Sequence, residues 1–309
     1  MDDSSHQPSN SEKSRFGAIG VLGRANAGKS SLINKLVGEQ VSIVSARPQT
    51  TRRRILGILT QGTSQIVFCD TPGIHAVHNQ LDQFMVGEIE STLKGLDGAL
   101  YLVDASDPRP QENEKHIAHL LQQGNIRPLF LVLNKIDLVA PPLAKELVET
   151  LATIAPFDQT FCISVQKGIG LKALLKKICR TVPLGEFGYS AECFTNQNER
   201  EIVEETIREE VLKRFYHEVP HSLAVQIQQF NQRDNGKTFI EAELVLERQS
   251  HKKIIVGKDG AGIKSIGQGA RRKLNRVLGR DIFLQLWVKV RPNWRKSEEW
   301  VRRLGYKPT

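Results

Sequence analysis

The chain of 309 residues lacks the marks of a secreted, zinc-binding or membrane-spanning protein. Its four cysteines form no Cys-x-x-Cys pair and have no histidine cluster near them, which argues against disulfides and against a zinc site. No apolar run approaches the ~18 residues of a membrane span. Residues 1–14 are polar and lack the basic-then-apolar layout of a signal peptide, so we expect a disordered tail on a cytoplasmic protein.

Acidic residues are scarce near the carboxyl end. Residues 248–309 hold 17 Lys and Arg but only four Asp and Glu, whereas residues 186–247 hold six against 13. A segment this basic predicts contact with a polyanion. The hydrophobic content of 39% and the charged content of 25% are those of an ordinary globular protein, and the length suffices for two domains.

The first half of the chain contains short apolar segments that alternate with helical patterns. Strands are predicted at 16–22, 66–69, 99–103 and 128–133, and helices at 29–37, 81–96, 112–123, 143–154 and 171–180. This alternation favours an α/β fold with a mostly parallel sheet. Loops that bind ligands then lie at the carboxyl ends of the strands.

A glycine-rich segment follows the first predicted strand. Residues 23–30 read GRANAGKS, a P-loop whose glycines let backbone N–H groups face phosphates. Lys29 is expected to reach the β- and γ-phosphates, and the Ser30 hydroxyl to ligate Mg²⁺. The nucleotide-binding residues predicted in this loop are Gly23, Arg24, Ala25, Asn26, Ala27, Gly28, Lys29 and Ser30.

A later motif identifies the base. In the segment 134–137 (NKID), the Asp137 carboxylate can accept hydrogen bonds from N1–H and the 2-amino group of guanine, both of which adenine lacks. Such a site leaves a buried carboxylate unpaired when ATP enters, at a cost of ~1–3 kcal/mol or more. The other residues expected to brace the base and its pocket are Asn134, Lys135, Ser164, Val165 and Gln166. The predicted ligand is therefore GTP.

The segment 70–73 (DTPG) and the loop 47–54 are expected to sense Mg²⁺ and the γ-phosphate. The predicted contacts are Asp70 to Mg²⁺ through a water, Thr71 and Pro72 within the motif, and the Gly73 N–H to the γ-phosphate. Either Thr50 or Thr51 must supply the remaining metal ligand. By analogy with GTPases whose ligand precedes an arginine, we favour Thr51. The predicted switch residues are Gln49, Thr50, Thr51, Arg52, Arg53 and Ile74, although the arginines at 52–54 fit a solvated face equally well.

No residue is assigned as a general base. Ile74 stands where Ras-type enzymes carry a glutamine that orients the attacking water, so we expect slow intrinsic hydrolysis. In related GTPases an asparagine at the position of Asn26 helps to hold a potassium ion (K⁺) against the phosphates. We therefore expect potassium to stimulate hydrolysis; the alternative is that Asn26 only shapes the loop.

The second half follows an aperiodic segment at 183–196, which we interpret as a linker. A helix is predicted at 199–216, then strands at 222–230 and 238–246 with an Asn235-Gly236 turn between them, a short helix at 251–256, a helix at 261–278, a strand at 282–290 and a helical tail. Trp287 is expected in the core. Trp294 and Trp300 lie among basic residues, where they could stack with RNA bases.

The two helices at 251–278 flank a Gly-x-x-Gly turn. In KH domains such a turn clamps the backbone of about four single-stranded nucleotides. The apolar run before the turn and the basic helix after it favour this interpretation over a plain helix–turn–helix connection. The predicted RNA-binding residues are Gly257, Lys258, Asp259, Gly260, Lys264, Arg271 and Arg272.

These motifs in this order, with 48–52 (PQTTR) and 256–260 (VGKDG), resemble the Era family of bacterial GTPases over residues 15–305. The chain departs from the family at Ala25, where proline is usual, at Val165, where alanine is common, and in lacking a basic N-terminal extension. The resemblance implies a GTPase domain at 15–183, a linker at 184–197 and a type II KH domain at 198–309. It also implies a monomer that binds the 3′ end of 16S rRNA during small (30S) ribosomal subunit assembly, with at most weak peripheral membrane association.

Other functions were weighed against this resemblance. A tRNA-modification GTPase of the related family would end in Cys-x-Gly-Lys, yet no cysteine follows Cys193; a factor with two GTPase domains would need a second P-loop. An RNA-binding module with little GTPase activity is disfavoured by the intact nucleotide motifs. A switch for a membrane or another RNA stays an alternative.

Overall fold

The computed structural model describes residues 13–45, 47, 49–73, 77–107, 126–215, 218–233 and 236–307. Several predictions lie outside these residues: most of the N-terminal tail, Pro48, Ile74, the helix at 112–123 and Asn235 of the predicted turn. Within the described residues, no helix is both long and apolar enough to cross a membrane.

In the described part of the chain, the first sheet has six strands: β1 (Arg15–Gly23), β2 (Ile55–Gln61), β3 (Ser64–Asp70), β4 (Gly98–Asp104), β5 (Leu129–Asn134) and β6 (Gln159–Cys162). Their order is β2-β3-β1-β4-β5-β6. All neighbouring pairs are parallel except β2 and β3, which are antiparallel. The loops after β1, β3, β5 and β6 therefore meet at one edge of the sheet.

Helices cover both faces of this sheet. They are α1 (Lys29–Val37), α2 (Gln80–Leu93), α3 (Pro141–Leu151) and α4 (Leu171–Thr181). Ile33 of α1 and Ile178 of α4 pack in the apolar cluster on one face, and Ile89 of α2 and Leu147 of α3 pack in the cluster on the other. Because both faces are covered, the central strands are apolar throughout rather than alternating.

The second sheet, again counted over the described residues, has three strands: β7 (Ala224–Gln232), β8 (Thr238–Leu246) and β9 (Ile282–Val290). β7 is antiparallel to β8, and β9 is parallel to it. The helices of this half are α5 (Glu199–Arg214), α6 (Glu218–His221), α7 (Gln249–Val256), α8 (Ala261–Val277) and α9 (Glu298–Arg303). Ile207 of α5, Ile255 of α7 and Leu274 of α8 cover one face of the sheet.

The segment 184–197 between the two sheets runs along the edge strand β2. The Ile58 N–H donates a 2.9 Å hydrogen bond to the Phe194 carbonyl oxygen, and Gly57 forms an antiparallel bridge with Thr195. On the neighbouring strand, Gln65 accepts a 2.9 Å bond from the Tyr189 N–H through its side-chain oxygen. The sequence predicted neither β2 nor this attachment.

An apolar cluster joins the two halves of the chain. Helix α2 contributes Leu81, Phe84 and Met85, which pack against residues of the second half: Ala224, Val245, Trp294, Val301, Leu304 and Tyr306. The face of the second sheet that its own helices leave open is thus partly covered by α2 and the carboxyl-terminal residues.

Two predictions about tryptophans are wrong. Trp287 is 49% exposed, because it lies on the face of β9 opposite the core positions Leu284, Leu286 and Val288. Trp294 is fully buried, and is therefore not accessible to RNA bases. Trp300 is half-buried, with the guanidinium groups of Arg291 and Arg303 over its ring at 5.0 and 5.3 Å from the centroid.

Candidate functional site

A cavity of about 410 Å³ opens at the carboxyl edge of the six-stranded sheet. This volume is in the range of small-molecule pockets, which is roughly 300–1,000 Å³. Its lining combines three of the predicted motifs with the loop before β2: Ala25, Asn26, Gly28, Lys29, Ser30, Ser31, Ile43, Val44, Ser45, Arg47, Gln49, Thr50, Thr51, Gly73 and Lys135. The fold therefore brings the P-loop and the predicted switch loop to one cavity.

Backbone conformation explains two glycines of the P-loop. Gly23 has φ 148°, and a Cβ there would lie 2.3 Å from the Leu102 carbonyl oxygen. Gly28 has φ 100° and precedes α1, and a Cβ there would lie 2.5 Å from Asn134 Nδ2. Both positions need glycine, because the loop turns sharply there and leaves no room for a side chain.

Lys29 is buried beneath this loop. Its ammonium donates 3.0 Å hydrogen bonds to the carbonyl oxygens of Gly23 and Arg24. Burial lowers the pKa of Lys29 to about 8, although the Asp70 carboxylate opposes the shift. An anion in the cavity would stabilise the charged ammonium, which is the situation that a bound phosphate creates.

Three oxygen-bearing side chains from separate segments meet beside Lys29. Ser30 Oγ lies 2.7 Å from Asp70 Oδ2 and 3.0 Å from Thr51 Oγ1, and Thr51 Oγ1 lies 3.3 Å from Asp70 Oδ2. Burial raises the pKa of Asp70 despite hydrogen bonds from the hydroxyl groups and the charge of Lys29. We call Ser30, Thr51 and Asp70 the metal cluster.

The metal cluster fits Mg²⁺. Its donors are hard oxygens, which Mg²⁺ prefers. Within the described residues, Asp70 Oδ1 is a buried oxygen without a regular hydrogen bond, although Ser42 lies near enough to act on the carboxyl's pKa. A cation would satisfy this oxygen and offset the cost of burying the carboxylate.

The two threonines of the switch loop point in different directions. Thr50 Oγ1 donates a 2.5 Å hydrogen bond to the Arg47 carbonyl oxygen, within the loop. Thr51 is buried, and its hydroxyl belongs to the metal cluster. The geometry thus favours Thr51 as the metal ligand.

The segment after β3 lies close against the P-loop. A Cβ on Gly73 would come within 2.9 Å of Ala25 Cα, so only glycine allows this approach. The Thr71 hydroxyl donates a 2.9 Å hydrogen bond to the Val21 carbonyl oxygen, and Pro72 is buried beside it. The backbone of residues 71–73, and with it the Gly73 N–H, is thereby held next to the P-loop.

Asn134 ties together two loops at the carboxyl edge of the sheet. Its Nδ2 donates a 2.9 Å hydrogen bond to the Ala27 carbonyl oxygen, and its Oδ1 accepts a 3.2 Å bond from the Val165 N–H. The P-loop and the loop after β6 are therefore fixed to each other through one buried amide.

The other residues predicted for the base pocket lie on the segment after Asn134 or on the loop after β6. Lys135 has φ 64° and forms an ion pair with Asp104, which orients its stem. Asp137 lies exposed in the short 3₁₀ helix Ile136–Leu138, and Ser164 is buried with its hydroxyl accepting a 3.1 Å hydrogen bond from the Lys167 N–H. Gln166 is exposed on the same loop.

Arg52 does not lie on a solvated face, and this is what sequence reasoning missed. It is only 2% exposed, and burial lowers its pKa. Its guanidinium donates hydrogen bonds to the carbonyl oxygens of Leu223 (2.5 Å) and His221 (3.1 Å) and to the Tyr306 hydroxyl (3.2 Å). The neighbouring Arg53 lies 3.5 Å from Glu204. The switch loop is thus docked on the second half of the chain.

The Gly-x-x-Gly turn lies on the surface between α7 and α8. Gly257 and Gly260 have φ 70° and 76°, and a Cβ on Gly257 would come within 2.9 Å of the Gly262 nitrogen. Asp259 also has a positive φ, at 50°. The predicted RNA-binding side chains are exposed around this turn and along α8: Lys258, Asp259, Lys264, Arg271 and Arg272. Since Lys264 and Arg271 are seven residues apart, they share one helix face.

This combination defines a class of protein: a P-loop GTPase domain with a mostly parallel sheet, followed by an α+β KH domain. A family model described as a 50S ribosome-binding GTPase matches residues 18–135, and a KH domain model matches residues 218–295. GTPase Era of Lactobacillus delbrueckii subsp. bulgaricus is 40% identical over 294 residues, which cover 95% of this chain and 97% of that relative. The chain belongs to the Era family of GTPases.

Other relatives agree. GTPase Era of Ruminiclostridium cellulolyticum is 38% identical over 293 residues, covering 95% of this chain and 98% of that one. A crystal structure of Era in complex with MgGDPNP and nucleotides 1506–1542 of 16S ribosomal RNA superimposes with a TM-score of 0.91 and 34% identity, over 95% of this chain and 99% of that chain. The predicted fold class, family and GTPase activity are confirmed.

Proposed function

We propose that this protein is a GTP-dependent switch that binds the 3′ end of 16S rRNA and acts in assembly and maturation of the small (30S) ribosomal subunit. The observation that carries the proposal is the docking of the switch loop on the KH domain through Arg52, which joins the nucleotide cavity to the RNA-binding half. The relative crystallised with MgGDPNP and 16S ribosomal RNA supports it.

We favour the small subunit over the large one because of how much of this chain each match covers. The family-model description refers to the 50S subunit, but that model matches only residues 18–135. The relative in complex with 16S ribosomal RNA covers both halves of this chain. The KH half is the part expected to choose the RNA, so the complex with 16S ribosomal RNA supports the small subunit as the target.

In this proposal the nucleotide lies in the cavity at the edge of the six-stranded sheet. The P-loop N–H groups and Lys29 bind the phosphates, the Gly73 N–H faces the γ-phosphate, and Asp137 selects guanine. Ser30 and Thr51 would hold Mg²⁺ directly and Asp70 would hold it through a water, and the ion would neutralise charge on the phosphates. Ile74 takes the place of the glutamine that orients the attacking water in Ras-type enzymes, and no residue is assigned as a general base, so hydrolysis by the protein alone is slow.

The proposed potassium ion lies against the P-loop at Asn26. The Asn26 backbone has φ 65°. Its side chain is exposed and lines the cavity, where its amide oxygen can face a monovalent cation. A cation there would stabilise charge that develops on the phosphates during hydrolysis.

The proposed units of the chain are the GTPase domain at 15–183, the connection at 184–197 and the KH domain at 198–309, acting as a monomer. RNA backbone contacts the turn at Gly257–Gly260, where Lys258 adds charge, and continues along the basic face of α8. Phosphate contacts of this kind set affinity, and contacts to the bases set sequence preference.

Binding of a short single-stranded RNA tests the proposal. The RNA copies the 3′ end of the organism's own 16S rRNA, and a scrambled oligonucleotide at the same salt concentration is the control. Selective binding that is tighter with a non-hydrolysable GTP analogue than with GDP is the expected result. Equal, weak binding of both oligonucleotides in both nucleotide states would contradict it.

Replacing both Lys258 and Asp259 with alanine tests the turn. We expect loss of RNA affinity with nucleotide binding retained, because both side chains are exposed and far from the metal cluster in the chain. Replacing the exposed Lys145 of α3 with alanine is the matched control. Unchanged RNA affinity in the double variant would refute the role of the turn.

A further inference from the structure

The KH domain holds the switch loop on both sides of Thr51. The peptide that follows Thr51 belongs to Arg52, whose buried guanidinium is seated on the carbonyl oxygens of His221 and Leu223 and on the Tyr306 hydroxyl. A planar guanidinium that spans several fixed acceptors orients the chain to which it is attached.

The peptides that precede Thr51 are held from α5. The Arg208 guanidinium is 2% exposed and is paired with Glu205, whose carboxylate lies 2.5 Å away. It donates hydrogen bonds to the carbonyl oxygens of Gln49 (3.3 Å) and Thr50. Since Arg208 and Arg52 hold the chain on either side, the Thr51 backbone cannot move away from the metal cluster without loosening these interdomain contacts.

The acceptors of Arg52 lead toward the RNA-binding turn. Ser222 lies between the two carbonyl groups that Arg52 contacts, and its hydroxyl lies 2.9 Å from Nδ1 of His251. His251 is buried on α7, the helix that ends immediately before Gly257. A short series of direct contacts therefore connects Thr51 to the helix that carries the Gly-x-x-Gly turn.

We propose that Arg52 is a positioning residue that couples the two sites. Seated on residues 221–223, it holds Thr51 in the metal cluster and fixes the segment that supports α7. The inference rests on the proposed function and assigns the regulation of its nucleotide site. Mg²⁺·GTP at the cluster and RNA at the turn then favour the same docked arrangement, and each increases the affinity for the other.

The first test compares two nucleotides, because the γ-phosphate and its Mg²⁺ order switch loops and GDP does not. In full-length Arg52→Gln, affinity for a non-hydrolysable GTP analogue should fall by about tenfold, whereas GDP affinity should stay within about twofold. The Mg²⁺ concentration needed for half-maximal analogue binding should rise as well. An equal fall for both nucleotides, or no fall for either, would overturn the role of Arg52.

Two further variants test whether the geometry of the Arg52 contacts, rather than its charge alone, is responsible. Arg52→Lys retains the charge but loses the planar fork, so full recovery of the analogue-to-GDP preference would overturn positioning by geometry. Tyr306→Phe removes one acceptor and keeps the ring, and should lower the preference by a smaller factor than Arg52→Gln. Its failure to lower the preference at all would also count against the proposal.

A matched control removes an arginine elsewhere on the KH half. Arg303 is exposed on α9, where it pairs with Glu299 and lies over Trp300. Arg303→Gln makes the same change of charge, but at a residue that does not contact the acceptors of Arg52. The analogue-to-GDP preference should be that of the unaltered protein; a fall equal to that of Arg52→Gln would overturn the specific role of Arg52.

The second test removes the contact between Ser222 and His251, which links the acceptors of Arg52 to α7. Ser222→Ala removes the hydroxyl that contacts His251 and leaves both carbonyl acceptors of Arg52 in place. Analogue affinity should be retained, while the dependence of RNA affinity on nucleotide state should shrink by about fivefold or more. An unchanged dependence would overturn the connection through His251. Absence of RNA binding by the unaltered protein would instead overturn the proposed function, and would leave the nucleotide comparison of Arg52→Gln valid.

Discussion

Trp294 Nε1 donates a 2.8 Å hydrogen bond to the Ser222 carbonyl oxygen, and the fully buried indole stacks on the Tyr306 ring with centroids 6.1 Å apart. Trp294→Ala should lower the free energy of unfolding by ~3–5 kcal/mol, because it leaves a large cavity and a buried carbonyl without its donor. Denaturant unfolding of the full chain measures this loss.

Trp287 is the matched control for that substitution. It is half exposed on the open face of β9, so Trp287→Ala should change the free energy of unfolding by only ~1 kcal/mol or less. Similar losses in the two variants would contradict the burial that distinguishes them.

Lys29→Ala should abolish binding of GTP and GDP at micromolar concentrations. The ammonium is the buried cation of the P-loop, and a charge-assisted hydrogen bond to phosphate is worth ~1.5–3 kcal/mol for each nucleotide. Fluorescent nucleotide titration measures the loss. Lys35→Ala, an exposed lysine on the same helix, should bind normally.

RNA binding by the Lys29→Ala protein is the second readout. The Gly-x-x-Gly turn lies on α7 and α8, in a separate core from the P-loop. Residual RNA affinity should therefore match that of the unaltered protein without nucleotide. Loss of both activities together would indicate misfolding of the variant, which thermal unfolding would reveal.

Potassium should raise GTP turnover by at least ~10-fold over sodium at matched ionic strength, because a cation fixed at the phosphates stabilises developing charge. Asn26→Ala should remove most of this difference while leaving the sodium rate nearly unchanged. Phosphate release under saturating GTP is the measurement. Equal turnover in the two salts would show that Asn26 only shapes the P-loop.

Glu204 should make stability depend on pH. It lies at the interdomain contact beside Arg53, and burial raises its pKa to about 7 even though Arg53 opposes the shift. The folded chain therefore keeps a proton that the unfolded chain releases between about pH 4.5 and 7. The free energy of unfolding is therefore highest below about pH 4.5. It falls by up to ~3 kcal/mol as the pH rises through this window.

Glu204→Gln should flatten this profile, because the neutral amide stands in for the protonated carboxyl at every pH. Denaturant midpoints at pH 5 and pH 8 should differ less in the variant than in the unaltered protein. The exposed Glu90 of α2 gives the control Glu90→Gln, which should keep the original difference. A variant that loses stability at pH 8 would show that the ion pair with Arg53 outweighs the cost of burial.

Much of the architecture could be predicted from local pattern. The bounds predicted for α1, β8 and β9 are those observed, because apolar periodicity and flanking glycines define these elements within a few residues. The nucleotide motifs gather in one place since parallel strands end at one edge. The helix predicted at 81–96 ends early, at Leu93, where Gly95 follows in a left-handed conformation.

What the sequence could not predict depends on distant partners. Arg52 reads as one of three consecutive arginines, and its burial depends on acceptors 171 and 254 positions further along the chain. Trp294 lies among basic residues in the sequence, and it is buried only because the carboxyl-terminal residues pack against α2. The local sequence pattern does not show which residues far along the chain will be in contact.

The attachment of residues 193–196 along β2 has a consequence for solubility. An uncovered edge strand offers unpaired N–H and carbonyl groups to any other extended chain, and is a common starting point for aggregation. Here the backbone of Phe194 and Thr195 occupies that edge at Ile58 and Gly57. The connection between the two domains thus also covers this strand edge. A variant with the segment replaced by a flexible spacer would expose the edge of β2, along which strands of other chains can pair side by side.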